Sequence, residues 1–434
     1  MTLKKNSISK ILFLFTILSF FIIGFFFKDL APGGAAGDFQ NITWPLLLSF
    51  KEDFFFSIKN YGAFGEGSYP LFYIINSYIN PFTSTQTEFL FSITFISFIT
   101  VVLLALLIKK NISTITNLDS LLTASIILIL PFYISSSYWG TTENFGWFFF
   151  ILSLLFFNKI KNNLDNNYKS RILSTIYFCF FSSCALYIRP ALVFLPIAFF
   201  LYLFLVNKKK EIIITSIITY LIFSIPGFIL IYIWGDIYDS KNMTMNLTEE
   251  YHNYKFIIKN IPILLSFFSF YLIPFLLVES LEKGLKNTIS KYLKNFLFAF
   301  FFFIILWKFD LLNYLAEFTY GGGAILKLNY LIKPENYFLL LIFSSLGFSI
   351  LYEILKENFK TNISILLPIF LIYGFSGMLF QEYVEPLILI ITFSGLLSTS
   401  LQKFYYKRIL TSFLIMFTYF SFYLIAATYY KHFI

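Results

Sequence analysis

Residues 89–108 read FLFSITFISFITVVLLALLI, a run of twenty residues without one charged side chain. A run of about 17–25 apolar residues is long enough to cross the hydrocarbon core of a bilayer as a helix. Similar runs recur along the 434 residues, of which 58% are hydrophobic and only 13% are charged. Because soluble proteins have about 25% charged residues, this composition excludes a soluble globular enzyme. Its high apolar content also excludes an intrinsically disordered chain.

We predict an all-α, polytopic membrane protein with about 13 transmembrane helices, folded as a single domain over residues 1–434. The predicted spans are 11–27, 89–108, 120–136, 145–157, 172–188, 190–206, 212–234, 259–278, 295–307, 337–353, 362–379, 384–400 and 409–428. Cytoplasmic segments of membrane proteins are enriched in Lys and Arg. With a cytoplasmic N-terminus, 21 of the 32 basic residues fall on that side. The positive charge therefore indicates membrane topology and not a nucleic-acid partner.

The first 36 residues have the basic start and the small residues near Ala35 that are typical of a secretory signal peptide. Their apolar core of about 17 residues is long for such a peptide, so we expect the first helix to be retained. Cys179 and Cys184 lie five positions apart in one apolar segment, and we expect neither a disulfide nor a metal site from them.

Most acidic residues fall on the outer side in this topology, and the longest outer segment covers residues 28–88. A run rich in glycine and alanine over 31–37 is a poor helix or strand former and brings Asp38 just beyond the first membrane helix. Residues 45–60 have apolar side chains on one helical face, which predicts an interfacial helix lying flat on the membrane. A second apolar helix is predicted to end near Asn80. Because the inner segments are short and basic, we expect the chemistry to face outward.

Arg189 is an isolated charge at the tip of an outer hairpin within the apolar stretch 172–206. A buried arginine costs at least about 2.5–3.5 kcal/mol at the bilayer centre and less near the interface. Two interpretations stay open. The side chain extends to lipid phosphates at the membrane surface, or it contacts an anion, such as a substrate phosphate, inside the bundle.

The layout resembles the GT-C class of integral-membrane glycosyltransferases, which includes dolichyl-phosphate and polyprenyl-phosphate sugar-dependent enzymes. Within that class it is most similar to bacterial envelope and O-antigen-type transferases. The residues that carry the resemblance are Gly37–Asp38, Gly67–Tyr73, Glu143 and Glu382–Pro386. Members typically use an acid of the first outer loop as catalytic base, so the resemblance implies this role for Asp38. Many members have an Asp-Glu pair in that loop and a His before the proline, where this chain has the single Asp38 and Tyr69.

Sugar transfer from a lipid phosphate needs a base for the acceptor hydroxyl, a cationic partner for the departing phosphate, and polar or aromatic partners for the sugar. Asp38 suits the first task, and Arg189, Lys327 or the amides of Gly321–Gly323 in the outer loop 308–336 suit the second. We therefore predict Asp38 as catalytic base. The predicted substrate-binding residues are Arg189, Glu143, Glu66, Tyr69, Trp139, Lys327, Glu382, Tyr383 and Glu385.

Simpler interpretations of these residues stay open. Asp38 is a favoured helix N-cap, Glu66 lies in a glycine-flanked turn, and Lys327 suits a solvent-exposed lysine of its loop. Glu143, Glu382 and Glu385 suit either a pocket or a wet helix end. His252 has no partner histidine nearby, so no metal site is predicted from it.

The sequence thus predicts a glycosyltransferase of the hexosyltransferase type in the inner membrane of a bacterium, with its site facing outward. Its expected partners are a polyprenyl-phosphate sugar donor, a lipid-linked or glycan acceptor and membrane lipids. No nucleotide or redox cofactor is expected, because neither a dinucleotide-binding nor a phosphate-loop motif occurs; a divalent cation on Asp38 stays open. Two alternatives also stay open: an envelope polysaccharide polymerase or ligase, and a flippase or transporter of lipid-linked sugar.

Overall fold

The computed structural model describes residues 2–161, 168–236, 255–309, 323–332, 337–376 and 379–433. Helices make up 87% of the structure, and no strand occurs in these ranges. The predicted all-α class is therefore confirmed.

The α-helices of the described ranges are numbered here in chain order. They are α1 (Thr2–Phe26), α2 (Ala35–Asp38), α3 (Trp44–Glu52), α4 (Phe54–Lys59), α5 (Leu71–Tyr78), α6 (Gln86–Asn111), α7 (Asn117–Ala124), α8 (Pro131–Trp139), α9 (Thr142–Lys161), α10 (Tyr168–Ile188), α11 (Phe194–Tyr202), α12 (Lys210–Trp234), α13 (Lys255–Lys283), α14 (Leu285–Lys308), α15 (Gly323–Ile332), α16 (Phe338–Glu357), α17 (Phe359–Gly374), α18 (Leu387–Phe393), α19 (Ser400–Lys407) and α20 (Ile409–Phe433). Short 3-10 or π segments cover Lys28–Leu30, Phe39–Thr43, Tyr61–Phe64, Ser125–Ile129, Pro190–Val193, Leu203–Asn207 and Gln381–Tyr383.

Several of these helices are long and apolar enough to cross a membrane. In the described part of the chain there are nine: Ser7–Phe26, Gln86–Asn111, Tyr168–Ile188, Pro190–Asn207, Lys210–Trp234, Ile257–Lys283, Leu285–Lys308, Phe338–Glu357 and Ile409–His432. The bent pair Asn117–Ile129 and Pro131–Trp139 makes a tenth if it is counted as one span. These helices support a multi-pass membrane protein, whereas the number of thirteen stays a prediction.

The segment predicted as one span over 120–136 is broken. It bends by 79° between Ile129 and Pro131, and Leu130 at the bend is extended, with φ −79° and ψ 130°. Proline has no backbone N–H and disfavours a helical residue before it, so the sequence itself explains the bend. The break turns α8 away from α7 and directs it across one end of the bundle.

The segment predicted as a span over 384–400 is also different in the structure. It contains only the seven-residue helix α18, which follows Pro386 and is fully buried. Gly395, with φ +70°, follows α18, a conformation that glycine adopts without strain. Irregular backbone at membrane depth is tolerated where protein surrounds it, and the neighbouring helices enclose this segment.

Close packing of α13 against α16 forms the centre of the second half of the bundle. A Cβ atom added to Gly347 of α16 would lie 1.9 Å from the carbonyl oxygen of Leu265 in α13. Nearby, Ser344 Oγ donates a 2.7 Å hydrogen bond to the carbonyl oxygen of Pro262. Small residues let helix backbones approach closely, and such contacts drive association inside membranes.

The first helix packs along the bundle but leaves one of its faces open. Lys10 in α1 forms a 2.6 Å ion pair with Asp119 at the start of α7. Towards the other end of α1, Tyr138 Oη donates a 2.7 Å hydrogen bond to the carbonyl oxygen of Phe21. These two contacts fix α1 at both ends, so that it forms one wall of a groove described below.

Segment 28–88 is folded against one end of the bundle, called here the segment-28–88 end. Phe39 is fully buried and stacks on Phe89 at 6.1 Å between ring centroids. Further along the segment, Tyr61 stacks at 5.6 Å on Trp234 at the end of α12. Aromatic pairs of this kind add about 0.5–1.5 kcal/mol each beyond the area that they bury. The segment is therefore a packed layer that positions Asp38.

The close contact between α13 and α16 gives a stability prediction. Gly347→Ala places a methyl group against the Leu265 carbonyl and should cost about 1–3 kcal/mol through overpacking. Gly67→Ala is the matched control, because no atom lies within 4 Å of an added Cβ there. Thermal unfolding of the purified protein in detergent, followed by circular dichroism, should show a lower midpoint for Gly347→Ala alone. Equal midpoints for the two variants would contradict the packing described.

Candidate functional site

A small polar pocket lies at the segment-28–88 end, where four parts of the chain meet. It is bounded by α2, by α8, by the start of α9 and by residues 382–385. Its volume is about 20 Å³, little more than the space that one water molecule needs. The residues that line it are Gly34, Ala35, Asp38, Phe132, Tyr133, Ser135, Ser136, Thr141, Glu143, Asn144, Trp147, Glu382 and Glu385.

Asp38 lies at the solvent-exposed mouth of this pocket. It occupies the last turn of α2, and the helical path continues beyond it through a π segment. Its side chain makes no capping hydrogen bond, so the structure does not support the N-cap interpretation. Partial burial of the carboxyl raises the pKa of Asp38 to about 6, and the negative charges of Glu143 and Glu66 act in the same direction. The group can therefore accept a proton near neutral pH.

Arg189 follows α10 and directs its side chain into the bundle. Only 7% of the residue is exposed, and its Nη1 donates to Glu143 Oε1 in an ion pair. The guanidinium carbon also lies 5.1 Å from the centre of the Tyr383 ring, within the range of a cation–π contact. The side chain of Arg189 therefore lies inside the bundle and not at lipid phosphates, and the anion that it contacts there is Glu143. Contact with a substrate phosphate stays a prediction. Arg189 Nη2 has no hydrogen-bond partner among the described residues.

A glycine makes room for this ion pair. Gly146 lies one turn after Glu143 in α9, and a Cβ atom there would lie 3.3 Å from the Cβ of Arg189. On the other side of the carboxylate, Ser136 Oγ donates a 3.3 Å hydrogen bond to Glu143 Oε2. Glu143 is therefore held between α8 and the end of α10.

The segment from Gln381 to Glu385 is fixed by buried hydrogen bonds. Gln381 Nε2 donates to Tyr271 Oη at 2.6 Å and to Tyr423 Oη at 2.9 Å. Its Oε1 accepts from the backbone N–H of Ala324 at 2.7 Å. Glu385 accepts the backbone N–H of Phe132 at 2.8 Å and the hydroxyl of Tyr271. These bonds join α8, α13, α15 and α20, so Glu385 serves mainly to fix the wall of the pocket.

Glu382 differs from Gln381 and Glu385, whose side chains are fixed by hydrogen bonds. Its carboxylate is half-buried in the pocket wall, and no described residue within reach donates a hydrogen bond to it. Burial raises the pKa of Glu382 to about 7, Glu143 adds to that rise, and Arg189 opposes it. The side chain is therefore an acceptor without a hydrogen-bond donor among the described residues.

Six of the nine predicted substrate-binding residues are not part of the pocket lining. Arg189, Tyr383 and Lys327 lie next to the pocket, whereas Glu66, Tyr69 and Trp139 make structural contacts. Glu66 accepts the backbone N–H of Ser68 at 2.9 Å and the hydroxyl of Tyr73, as the turn interpretation requires. Tyr69 stacks at 6.2 Å on Trp234. Trp139 donates from Nε1 to the carbonyl oxygen of Lys28 at 3.2 Å. Tyr69 and Trp139 therefore fasten segment 28–88 to the bundle, whereas Glu66 holds a turn within the segment.

Lys327 lies on α15 beside the pocket. Its Nζ is 4.9 Å above the ring of Tyr430. Burial lowers the pKa of Lys327, while the charge of Glu382 acts in the opposite direction. The lysine is therefore positioned between the pocket and the end of α20. Of the other predicted features, Gly321, Gly322 and His252 lie outside the described residues.

Sequence reasoning missed Asn144, which is 1% exposed and lines the pocket. Its Nδ2, which carries two hydrogens, lies within hydrogen-bond distance of three acceptors: Ser97 Oγ at 3.0 Å, the carbonyl oxygen of Tyr133 at 2.9 Å and Ser137 Oγ at 2.6 Å. Its Oδ1 has no partner among the described residues. The position directly after Glu143, at the start of an apolar helix, is the signal that could have identified it.

A large apolar groove adjoins the polar pocket. It lies between α1 and α20 and has a volume of about 690 Å³. Ala31 and Pro32 line the groove, and Gly34 and Ala35 line the polar pocket. The two sites are therefore only two residues apart along the chain. The residues of the groove are Thr16, Ile17, Phe20, Ile23, Gly24, Phe27, Leu30, Ala31, Pro32, Ile129, Ile134, Tyr138, Phe417, Ser421, Leu424, Ile425, Thr428 and Tyr429.

Basic residues lie where this groove meets segment 28–88. Lys431 Nζ donates to the carbonyl oxygen of Ala31, and His432 Nε2 lies 3.3 Å from the carbonyl oxygen of Leu30. A lipid with an anionic headgroup fits this distribution, with its chain along the apolar wall and its charge near the basic end. The groove was not predicted from the sequence, because its two walls are more than 380 residues apart in the chain.

Comparison of the chain with protein-family models, with curated proteins and with solved structures found no match. Among the described residues, no group of three or more His, Cys, Asp or Glu side chains has the arrangement of a metal site. The geometry therefore carries the functional argument. It brings together Asp38, Glu143, Arg189, Glu382, Tyr383 and Glu385, with Lys327 beside them.

The raised pKa of Glu382 gives a prediction on stability. A carboxyl whose pKa is raised in the folded state weakens the fold as pH increases, here from its ordinary value of 4.5 to about 7. Glu382→Gln should therefore raise the unfolding midpoint relative to the parent at about pH 8 and leave it unchanged at about pH 4.

The exposed Glu52 provides the control for this experiment. Thermal unfolding of Glu52→Gln, measured at both pH values in the same detergent, should follow the parent. A Glu382→Gln variant that is no more stable than the parent at about pH 8 would contradict the acidic, desolvated surroundings described for Glu382.

Proposed function

We propose that this protein is an integral-membrane glycosyltransferase that transfers a sugar from a polyprenyl-phosphate-linked donor to a lipid-linked or envelope-glycan acceptor. One observation carries the proposal: a carboxylate pocket with Asp38 at its mouth adjoins an apolar groove with a basic end. A lipid-borne sugar donor needs this combination. In the proposed topology the segment-28–88 end faces away from the cytoplasm, in the inner membrane of a bacterium.

Asp38 is the proposed general base. The acceptor hydroxyl lies at the mouth of the pocket and transfers its proton to the Asp38 carboxylate as its oxygen bonds to the anomeric carbon. The bond from that carbon to the phosphate oxygen breaks, and its electron pair leaves with the polyprenyl phosphate. A pKa of about 6 leaves Asp38 ionised above that pH and able to accept the proton.

The departing phosphate needs cationic partners where negative charge develops. Lys327 is the main candidate, because it lies between Tyr430 of α20 and the pocket and feels the charge of Glu382. Arg189 is already paired with Glu143, and only its Nη2 still lacks a partner among the described residues. In this arrangement Lys327 neutralises the phosphate, while Arg189 mainly holds Glu143 in place.

The groove between α1 and α20 is the proposed site of the polyprenyl chain. Each CH₂ group that leaves water contributes about 0.8 kcal/mol, but a bilayer already provides an apolar environment for a lipid. The groove therefore contributes more to the orientation of the polyprenyl chain than to its binding affinity. It aligns the chain so that the phosphate lies beside the Asp38 pocket.

The catalytic role of Asp38 is tested with the purified full-length protein in lipid nanodiscs. With a polyprenyl-phosphate sugar and a lipid-linked acceptor, the parent protein should release polyprenyl phosphate. Asp38→Asn should lower this rate at least about 100-fold, as expected for the loss of a general base. Asp53→Asn is the matched control: Asp53 caps α4 by accepting the Phe56 N–H, and asparagine caps equally well.

Other products would contradict the proposal. Release of a lipid diphosphate would favour a polymerase or ligase, and exchange of lipid-linked sugar across proteoliposomes without covalent change would favour a flippase. Full transfer activity in Asp38→Asn would remove Asp38 from the mechanism.

A second prediction tests the lipid groove. Ile425→Trp adds bulk to its wall and should raise the KM for long-chain donors at least about tenfold, because an overfilled groove cannot align the chain. Phe422→Trp is the control, since Phe422 lies on the same helix, is 70% exposed and does not line the groove. Steady-state kinetics with donors of increasing chain length provide the measurement. An equal KM for Ile425→Trp and Phe422→Trp at every chain length would exclude the groove as the donor site.

A further inference from the structure

The polar pocket as a whole is too small for a sugar ring. Its inner part, where the buried Asn144 and Glu385 lie, is called its closed end. A volume of about 20 Å³ admits one group of the size of a water molecule. A hexose must therefore lie at the mouth, beside Asp38, and only one of its substituents can enter. The chemistry of the closed end then decides which substituent is recognised.

The carboxylates of the pocket differ in whether they have a cation or hydrogen-bond donor as partner. Four carboxylates line the pocket, those of Asp38, Glu143, Glu382 and Glu385. Arg189 neutralises Glu143, and hydrogen bonds from Phe132 and Tyr271 satisfy Glu385. Asp38 and Glu382 have neither an ion pair nor a side-chain hydrogen bond within the described part of the chain. Lys327 lies beside the pocket and feels the charge of Glu382 without forming an ion pair with it. The lining therefore still carries an excess of negative charge, which favours a cationic group over an anionic one.

An independent observation comes from Asn144, which is 99% buried in the pocket wall. The three oxygen acceptors around its Nδ2 fix the orientation of the amide. This leaves Oδ1 as a buried acceptor without a donor among the described residues. A buried polar atom without a partner costs about 1–3 kcal/mol. The unpartnered Asn144 Oδ1 therefore indicates that a bound group donates a hydrogen bond at this position.

We propose that the closed end of the pocket binds an ammonium group, held by Glu382 and Asn144 Oδ1, and that the sugar or acceptor recognised at this site therefore carries a primary amine. An ammonium has three N–H donors and no acceptor, which matches a wall of unfilled oxygen acceptors. A neutral hydroxyl donates only one hydrogen bond and leaves the carboxylate charge uncompensated. This inference names the substrate class of the proposed glycosyltransferase and rests on that function for its biological meaning.

The test measures equilibrium binding to the full-length protein in nanodiscs, with no lipid donor and no turnover. The probes are 2-amino-, 4-amino- and 6-amino-deoxyglucose, each compared with glucose, and the signal is the fluorescence of Trp147, which lines the pocket. A Trp147→Phe variant lacks this indole, so the fluorescence change that it loses is the part that comes from Trp147. At least one amino sugar should bind about tenfold more tightly than glucose, a difference of about 1.4 kcal/mol.

Glu382→Gln should abolish this preference, because it removes the charge and keeps the shape, whereas the exposed Glu52→Gln should keep it. Equal binding of amino sugars and glucose would overturn the proposal, and so would an absence of binding by every amino sugar. A preference that survives in Glu382→Gln would remove the amine from this pocket. Since no transfer is measured, these outcomes are independent of the activity assay for Asp38.

Discussion

The ion pair between Arg189 and Glu143 is the interaction on which the site depends. A buried arginine is tolerated only beside a compensating charge, and loss of one partner typically costs about 3–5 kcal/mol because the other stays buried and unpaired. The pair joins α9 to the end of α10, and Tyr383 lies over the guanidinium. Because Arg189 is paired with Glu143, Asp38 and Glu382 have no ion-pair partner among the described residues, and Lys327 is the other cation close enough to feel the charge of Glu382.

Two kinds of packing position these groups. Segment 28–88 is fastened by aromatic stacking, with Phe39 on Phe89 and Tyr61 on Trp234, and this layer holds Asp38 at the mouth. The opposite wall depends on irregular backbone around Gln381 and Glu385, whose hydrogen bonds join several helices. Polar backbone that is not helical needs such internal partners inside a membrane. The two proline-related breaks, before α8 and before α18, therefore create the place where the pocket forms.

Much of the fold could be predicted from apolar run length, because a bilayer demands long apolar helices from any chain that crosses it. Hydropathy predicts continuous spans through Pro131 and Pro386, because it averages over a window of residues and does not report a bend. In the candidate site, charged residues next to apolar stretches could be identified from the sequence. Asp38, Glu143, Arg189 and Glu382 were found in this way, and they lie together in the structure. The same reasoning also selected Tyr69 and Trp139, which pack structurally. Asn144 and the groove between α1 and α20 depend on contacts between distant parts of the chain, which no local pattern contains.

The proposed mechanism requires a lipid phosphate between the groove and Asp38. The most direct measurement is an electron cryomicroscopy structure of the full-length protein in nanodiscs with polyprenyl phosphate bound. We expect lipid density along α1 and α20, with the phosphate next to Lys327 and facing Asp38 across the mouth of the pocket. Lipid density confined to another face of the bundle, with an empty groove and a phosphate remote from Asp38, would contradict it.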